Sequence, residues 1–312
     1  MDEQEGSGWV NEGAGIKGFR RRGRKMKAAV VGAGVIGEFF AELLQEKFRV
    51  VISDIDASRG EAVASRLGLE YRVNNIEAVG DADLVLVSTP IKETPQVVES
   101  IAPAMKKGSL LMDATSIKSH VRESFIRTGR KDIDYISIHP MFCPPTKLEE
   151  QSIIVIPVQG DSWINEIKEF FTSKGLRVHE STVERHDEIM ALIQVLIHLS
   201  FMGINSTIKE LGYGEDDLRP FMGKFHRVLF DFIPRITAQN HEMYASIQLE
   251  NPESLKVCSI LSNKIDSFRQ LIKGKNLDRL VKELEDMSDI YSDPELSIKR
   301  SNRLIDLYRE EV

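Results

Sequence analysis

Apolar positions along the chain follow two regimes. Between Met26 and Gln159, short apolar runs alternate with segments of helical spacing. Residues 28–31 and 50–53, "ADLVLVSTP", "GSLLMDATS", "IDYISIHPMF" and "QSIIVIPV" each read as a strand. A strand covered on both faces shows such a near-continuous apolar run. Between them, Phe39, Phe40, Leu43 and Leu44, then "EAVASRLGL" and "TPQVVESIAPAM", recur at the period of an amphipathic helix. Strands alternating with helices predict an α/β fold built on a doubly wound parallel sheet. From about Ser162 the pattern turns helical. "WINEIKEFFTSKG" fits one helix, and "TVERHDEIMALIQVLIHLSFMGINSTIKELG" a long one with apolar positions at Met190, Ile193, Ile197 and Phe201. "MGKFHRVLFDFIPRITAQNHEMYASIQLEN" fits a helix bent at Pro234. Three more helices fit 253–273, 276–291 and 294–311.

The first strand runs into Gly32-Ala33-Gly34-Val35-Ile36-Gly37, a helix follows, and the second strand ends at Asp54. A lone GxGxxG is weak, but strand, helix and acid about 20 residues on make it a dinucleotide fingerprint. Gly32 permits the tight turn, Gly34 lets backbone approach a pyrophosphate, and Gly37 lets helix and strand pack closely. The helix N-terminus offers unpaired N–H groups to phosphate. Asp54 suits the hydroxyls of the adenosine ribose and opposes a 2′-phosphate, which favours NAD over NADP; Arg59 lies close enough to modify that preference. The expected organisation is a flexible basic tail over 1–25, a Rossmann-type domain over 26–160 and an all-helical domain over 161–312. The second domain would build the substrate site and a homodimer interface.

Composition narrows the function classes. Of the 312 residues, 42% are hydrophobic, enough for two packed cores. A net charge of −7 gives the whole chain no nucleic-acid footprint. The two cysteines, Cys143 and Cys258, are far apart, which argues against a disulfide framework or cysteine-rich metal site and fits a reducing cytoplasm. No uninterrupted apolar run reaches the roughly 18 residues of a membrane span. The "FRRRGRK" run reads as a solvated stretch rather than a binding patch.

Ligands on a doubly wound sheet bind outside the carboxyl ends of its strands. Thr89, Ser116 and His139 fall there, with Thr115 beside Ser116 as a further cofactor contact. Hydride removal from an alcohol needs a base for the hydroxyl proton, and histidine has the suitable pKa. Of seven histidines, His139 is best placed, at a strand end and followed by Pro140. Ser116 and Lys118, leaving the neighbouring strand, could orient it or the substrate. His186 and His198 lie on one predicted helix about 18 Å apart, too far to share a metal ion. Arg227 and Arg235 have apolar neighbours, and either could meet a carboxylate.

Taken together, GxGxxG at 32–37, "DATSIK" at 113–118, "HPMF" at 139–142, "HD" at 186–187 leading to His198, and Arg227 and Arg235 before "MYASI" resemble the prephenate dehydrogenase family of tyrosine biosynthesis. The resemblance covers roughly 26–251. It implies His139 as catalytic histidine, with Ser116 and Lys118 as the catalytic serine and lysine of the S-x-K motif. It implies His198 and Gln194 on the substrate, Arg235 on a substrate carboxylate, Arg227 as its partner, and NAD as cofactor. The chain departs from the family where Cys143-Pro144-Pro145 stands for the usual Gly-Pro after "HPMF". Arogenate, the amino analogue of prephenate, is the nearest competing substrate. Another small hydroxyacid or imine oxidoreductase, or a non-catalytic NAD-binding regulator, are the remaining readings.

Overall fold

The structure is a computed structural model and describes residues 20–21, 24–144 and 146–309. Most of the expected tail, 1–19 and 22–23, lies outside the described residues. Within it, Arg20–Arg21 (β1) and Arg24–Lys25 (β2) pair antiparallel, and the Lys25 ammonium donates to the Gln45 carbonyl at 2.7 Å. The chain divides into two units, with the boundary between Arg185 and His186.

In the first unit the strands are Lys27–Val31 (β3), Arg49–Ser53 (β4), Glu70–Arg72 (β5), Leu84–Val87 (β6), Leu110–Asp113 (β7), Asp134–Pro140 (β8), Ser152–Gln159 (β9) and Arg177–Glu180 (β10). The helices are Val35–Gln45 (α1), Ala57–Leu67 (α2), Asn75–Val79 (α3), Thr94–Ile101 (α4), Ser119–Arg127 (α5) and Ile164–Ser173 (α6). The sheet order is β10-β9-β8-β7-β6-β3-β4-β5. Along β6, Leu84 and Leu86 join one apolar layer, while Val85 and Val87 join the other, as a pleat of period two requires. Phe40 of α1, Val63 of α2, and Phe170 and Phe171 of α6 fill the first layer. Val79 of α3, Val98 and Ile101 of α4, and Phe125 of α5 fill the second. Strand β3 has β4 on one side and β6 on the other, so the winding reverses there. The crevice at such a reversal is where these sheets bind ligands.

Two features refine the expected architecture. The sheet is not parallel throughout: β9 runs antiparallel to β8, and β10 parallel to β9. A parallel return needs a long crossover, usually a helix, and the described residues of 141–151 hold none. The domain boundary also moves from 160/161, because α6 and β10 belong to this sheet and its apolar layer.

Val183–Met190 (α7), a π-helical turn Ala191–Leu196 and Ile197–Glu210 (α8), here called one rod, follow one another without a break in the helix. Contrary to the reading of short apolar runs, this rod is long and apolar enough to cross a membrane by length and composition alone. The expected bent helix around Pro234 is three helices: Lys224–Phe232 (α10), Arg235–Ala238 (α11) and His241–Glu250 (α12), after the short Glu215–Leu218 (α9). Pro234 has no N–H to continue α10, and the Asn240 side chain starts α12 by accepting from the Met243 N–H at 3.0 Å. Ser254–Lys273 (α13), Leu277–Met287 (α14) and Pro294–Leu307 (α15) complete the second unit.

Candidate functional site

The carboxyl ends of β3, β4, β6, β7 and β8 share one edge of the sheet, because these five strands are parallel. The glycine loop leaves β3. Gly32 has φ +103°, and a Cβ there would lie 2.3 Å from the Ser88 carbonyl oxygen. A Cβ on Gly37 would lie 1.8 Å from the Gly32 oxygen, so α1 can approach the loop only without one. A Cβ on Gly34 would meet nothing within 4 Å. The first and third glycines are thus demanded by the protein itself. The second leaves open space, which fits a pyrophosphate lying against the backbone. Ala33 is buried, Ile36 half-buried and Val35 exposed.

Asp54 follows β4, as expected, but its carboxylate is occupied. It accepts from the Ala33 N–H at 2.6 Å, the Asp56 N–H at 2.8 Å, and Arg59 Nε and Nη2 at 3.1 and 2.7 Å. Burial pushes this carboxyl up, but Arg59 and the two backbone N–H groups outweigh burial and hold it below the usual aspartate value. After β6, the Thr89 hydroxyl shares a hydrogen bond of 2.8 Å with that of Thr94, the first residue of α4.

After β7, the loop is tied to itself and to β8. The Thr115 hydroxyl donates to the Ile117 carbonyl at 2.5 Å, so it is engaged within the loop. The Ser116 hydroxyl is half-buried and makes no hydrogen bond to a described residue. Lys118 is 0% exposed. Its ammonium lies 3.1 Å from Asp113 Oδ1 and donates to the Ile138 carbonyl at 2.6 Å. Asp113 Oδ2 accepts from the Tyr135 hydroxyl at 2.7 Å. Burial, then the Asp113 charge, push that phenol well above its ordinary pKa. The Lys118 ammonium thereby ties the end of β7 to the residue before His139. His139, the penultimate residue of β8, is 4% exposed and paired in register with Ile154 of β9.

The second unit carries the other candidates. Gln194 lies on the π-helical turn, and its Oε1 is buried with no hydrogen-bond partner among the described residues. Nδ1 of His198, four residues on, is in the same condition. Burial pushes the pKa of His198 down, and its ring meets Tyr244 of α12 edge-on, with centroids 4.8 Å apart. Arg235, at the start of α11, is exposed and has no ion pair with a described residue. Arg227 is half-buried, and its Nε donates to the Met222 carbonyl at 3.0 Å. His186, by contrast, is buried against Asp187, with Nδ1 2.8 Å from Oδ1; the Asp187 carbonyl accepts from Asn251 at 3.0 Å. That pair secures the turn between α12 and α13.

Local sequence pattern assigns no partner to Asp113, Tyr135 or Tyr244. Tyr135 carries the signal of a core strand residue, and nothing local marks its hydroxyl as an anchor for Asp113. Among the described residues no group of three or more His, Cys, Asp or Glu could hold a metal ion.

Comparison with known proteins covers both units. Residues 40–180 match the model described as prephenate dehydrogenase, nucleotide-binding domain, and 182–286 the one described as prephenate dehydrogenase, dimerization domain. A Methanocaldococcus jannaschii protein named "Probable arogenate/prephenate dehydrogenase" is 33% identical over 80% of this chain and 57% of its own length. The chain thus spans little more than half of that relative. A Streptomyces pristinaespiralis protein named 4-amino-4-deoxyprephenate dehydrogenase is 26% identical over 72% of this chain and 76% of its own. The fold matches the crystal structure of prephenate dehydrogenase from A. aeolicus in complex with hydroxyphenyl propionate and NAD+. The TM-score is 0.71, at 20% identity, covering 90% of this chain and 99% of that one. With two consecutive models of one family matched over both units, the chain belongs to the prephenate dehydrogenase family.

Proposed function

We propose that the protein catalyses the NAD-dependent oxidative decarboxylation of prephenate to 4-hydroxyphenylpyruvate. The observation that carries this reading is the placement of His139 and Ser116 at the same sheet edge as the glycine loop. When bound, the nicotinamide supplies the hydride acceptor. The residues of the glycine loop, with Thr89, hold the dinucleotide. His139 takes the proton of the C4 hydroxyl as hydride leaves C4. Ser116, whose hydroxyl is uncommitted, hydrogen-bonds the same oxygen. The carbonyl developing at C4 then accepts the electron pair released as the ring carboxylate departs as carbon dioxide, the ring becomes aromatic, and the phenolate oxygen takes the proton back from His139. Among the candidates of the helical unit, Arg235 is proposed for a substrate carboxylate, through its guanidinium fork, and Gln194 and His198 for further substrate contacts. Neutral His198, favoured by its burial, suits a hydrogen-bonding rather than an ionic role.

Arogenate is the second substrate to test, because the Methanocaldococcus relative carries both names. The helical unit is proposed to pair with a second copy. Leu192, Ile193, Ile197, Met202 and Ile204 are exposed along one rod, and the matching family model is described as a dimerization domain.

The test is absorbance at 340 nm with purified protein, NAD and prephenate, then arogenate, alongside His139→Asn. The expected result is NADH formation that this variant loses by about a hundredfold or more, the usual size of a general-base contribution, while still binding NADH. Near-normal turnover by His139→Asn would overturn the assignment, and no turnover of either substrate would overturn the reaction.

A further inference from the structure

Asp54 stands where a ribose-reading acid should stand, yet its acceptor sites are filled. A carboxylate offers about four lone-pair directions. At Asp54, Oδ1 accepts from the Asp56 N–H and Arg59 Nη2, and Oδ2 from the Ala33 N–H and Arg59 Nε. The carboxylate is only 4% exposed. Two of its donors are backbone groups, fixed by the glycine loop and by the turn into α2. The other two belong to one guanidinium. A ribose diol can reach Asp54 only by moving Arg59 aside.

Arg59 itself is differently placed. Its side chain is 50% exposed, and Nη1 makes no hydrogen bond to a described residue. It is the third residue of α2, an eleven-residue helix whose N-terminal dipole favours an anion. The other charge in this turn is Asp56, whose Oδ1 accepts from the Ser58 hydroxyl at 2.6 Å and the Arg59 N–H at 3.2 Å. Asp54 and Asp56 together outnumber Arg59 by one charge, so the turn has no net attraction for a phosphate. What it offers is one exposed, directional guanidinium edge. A bare acid at this position would reject a 2′-phosphate, and a basic turn would demand one. This turn does neither.

We propose that Arg59 relaxes dinucleotide selectivity: its bond to Asp54 withholds the carboxylate from the ribose diol, and its Nη1 edge donates to a 2′-phosphate. The protein then binds NAD and NADP with comparable affinity. The inference rests on the nucleotide-binding reading of the glycine loop and on no part of the substrate assignment.

Calorimetric titration of the full-length protein with NAD+ and with NADP+, without substrate, tests it. The two dissociation constants should agree within about tenfold, and Arg59→Ala should weaken NADP+ by about tenfold or more, the scale of a lost charge-assisted hydrogen bond, without weakening NAD+. Arg59→Gln, which retains a donor for Asp54, guards against a folding defect and should show the same selective loss. A parent that prefers NAD+ by about a hundredfold, or an NADP+ affinity unmoved in both variants, overturns the role of Arg59 while leaving the nucleotide site intact. Binding of neither dinucleotide to the parent overturns the nucleotide reading and the inference with it.

Discussion

Replacing Lys118 by methionine should show how much the strand before His139 depends on a buried charge pair. Lys118 and Asp113 are both 0% exposed, with their charged atoms 3.1 Å apart. Methionine keeps the length of the side chain but removes the charge and the donor to Ile138. Asp113 is then left as a buried anion with only the Thr115 N–H, at 3.1 Å, and the Tyr135 hydroxyl, at 2.7 Å, as donors in view. Removing one partner of a buried pair costs about 3–5 kcal/mol, chiefly because the other charge stays buried. For a unit of this size that corresponds to a fall of about 6–20 °C in midpoint. Trp163 is buried in the same unit, and its fluorescence reports the unfolding once Trp9 is replaced by phenylalanine. Lys118→Met combined with Asp113→Asn removes both charges and should recover about 2 kcal/mol or more relative to the sum of the single changes. A single variant within about 1 kcal/mol of the parent, or a double variant that costs the full sum, would refute the argument.

The glycine loop gives a paired test. Gly37→Ala must displace the Gly32 backbone and should lower both stability and NADH affinity, whereas Gly34→Ala meets nothing in the protein and should lower NADH affinity alone. Thermal melts with and without NADH separate the two, and parent-like binding by Gly34→Ala would count against a pyrophosphate there. Because burial lowers the pKa of folded His198 from 6.5, its neutral form contributes stability fully above that value and loses it as pH falls towards the folded pKa. His198→Gln should remove up to about 1.4 kcal/mol per pH unit of that acid-side slope in urea unfolding, and an unchanged slope would sink the idea. Arg235→Gln should raise KM for the substrate by about ten- to a hundredfold with a small change in kcat; a kcat loss at unchanged KM would move the carboxylate elsewhere.

Much of the nucleotide half could be read from the chain, because its inner strands are continuous apolar runs and GxGxxG with Asp54 has a fixed geometry. The less legible parts share a cause: they are set by contacts that local pattern does not encode. Strands β5 and β10 are short sheet edges with mostly polar side chains, none of them fully buried, so no apolar run marks them. The direction of β9 depends on how the chain returns to the sheet, since an apolar run reads the same either way. The bond from Arg59 to Asp54 joins two side chains whose pairing no local pattern announces. The π-helical turn at Ala191–Leu196 leaves no sign in a pattern of apolar spacing, yet it carries Gln194.

The antiparallel entry of β9 also bears on how such a chain can change over generations. Ser152 and Ile153 re-enter the sheet directly beside Pro140, and the Met141 N–H donates to the Ser152 carbonyl at 2.9 Å. The segment after the histidine therefore leaves and rejoins the sheet at one place, as an excursion closed at its base. Doubling the length of such an excursion costs only about 0.6 kcal/mol in closure entropy, and the pairing beneath it stays in register. Cys143 lies on that excursion. Insertions, deletions and exchanges around it can vary what lies next to His139 while the strand that holds the histidine stays fixed.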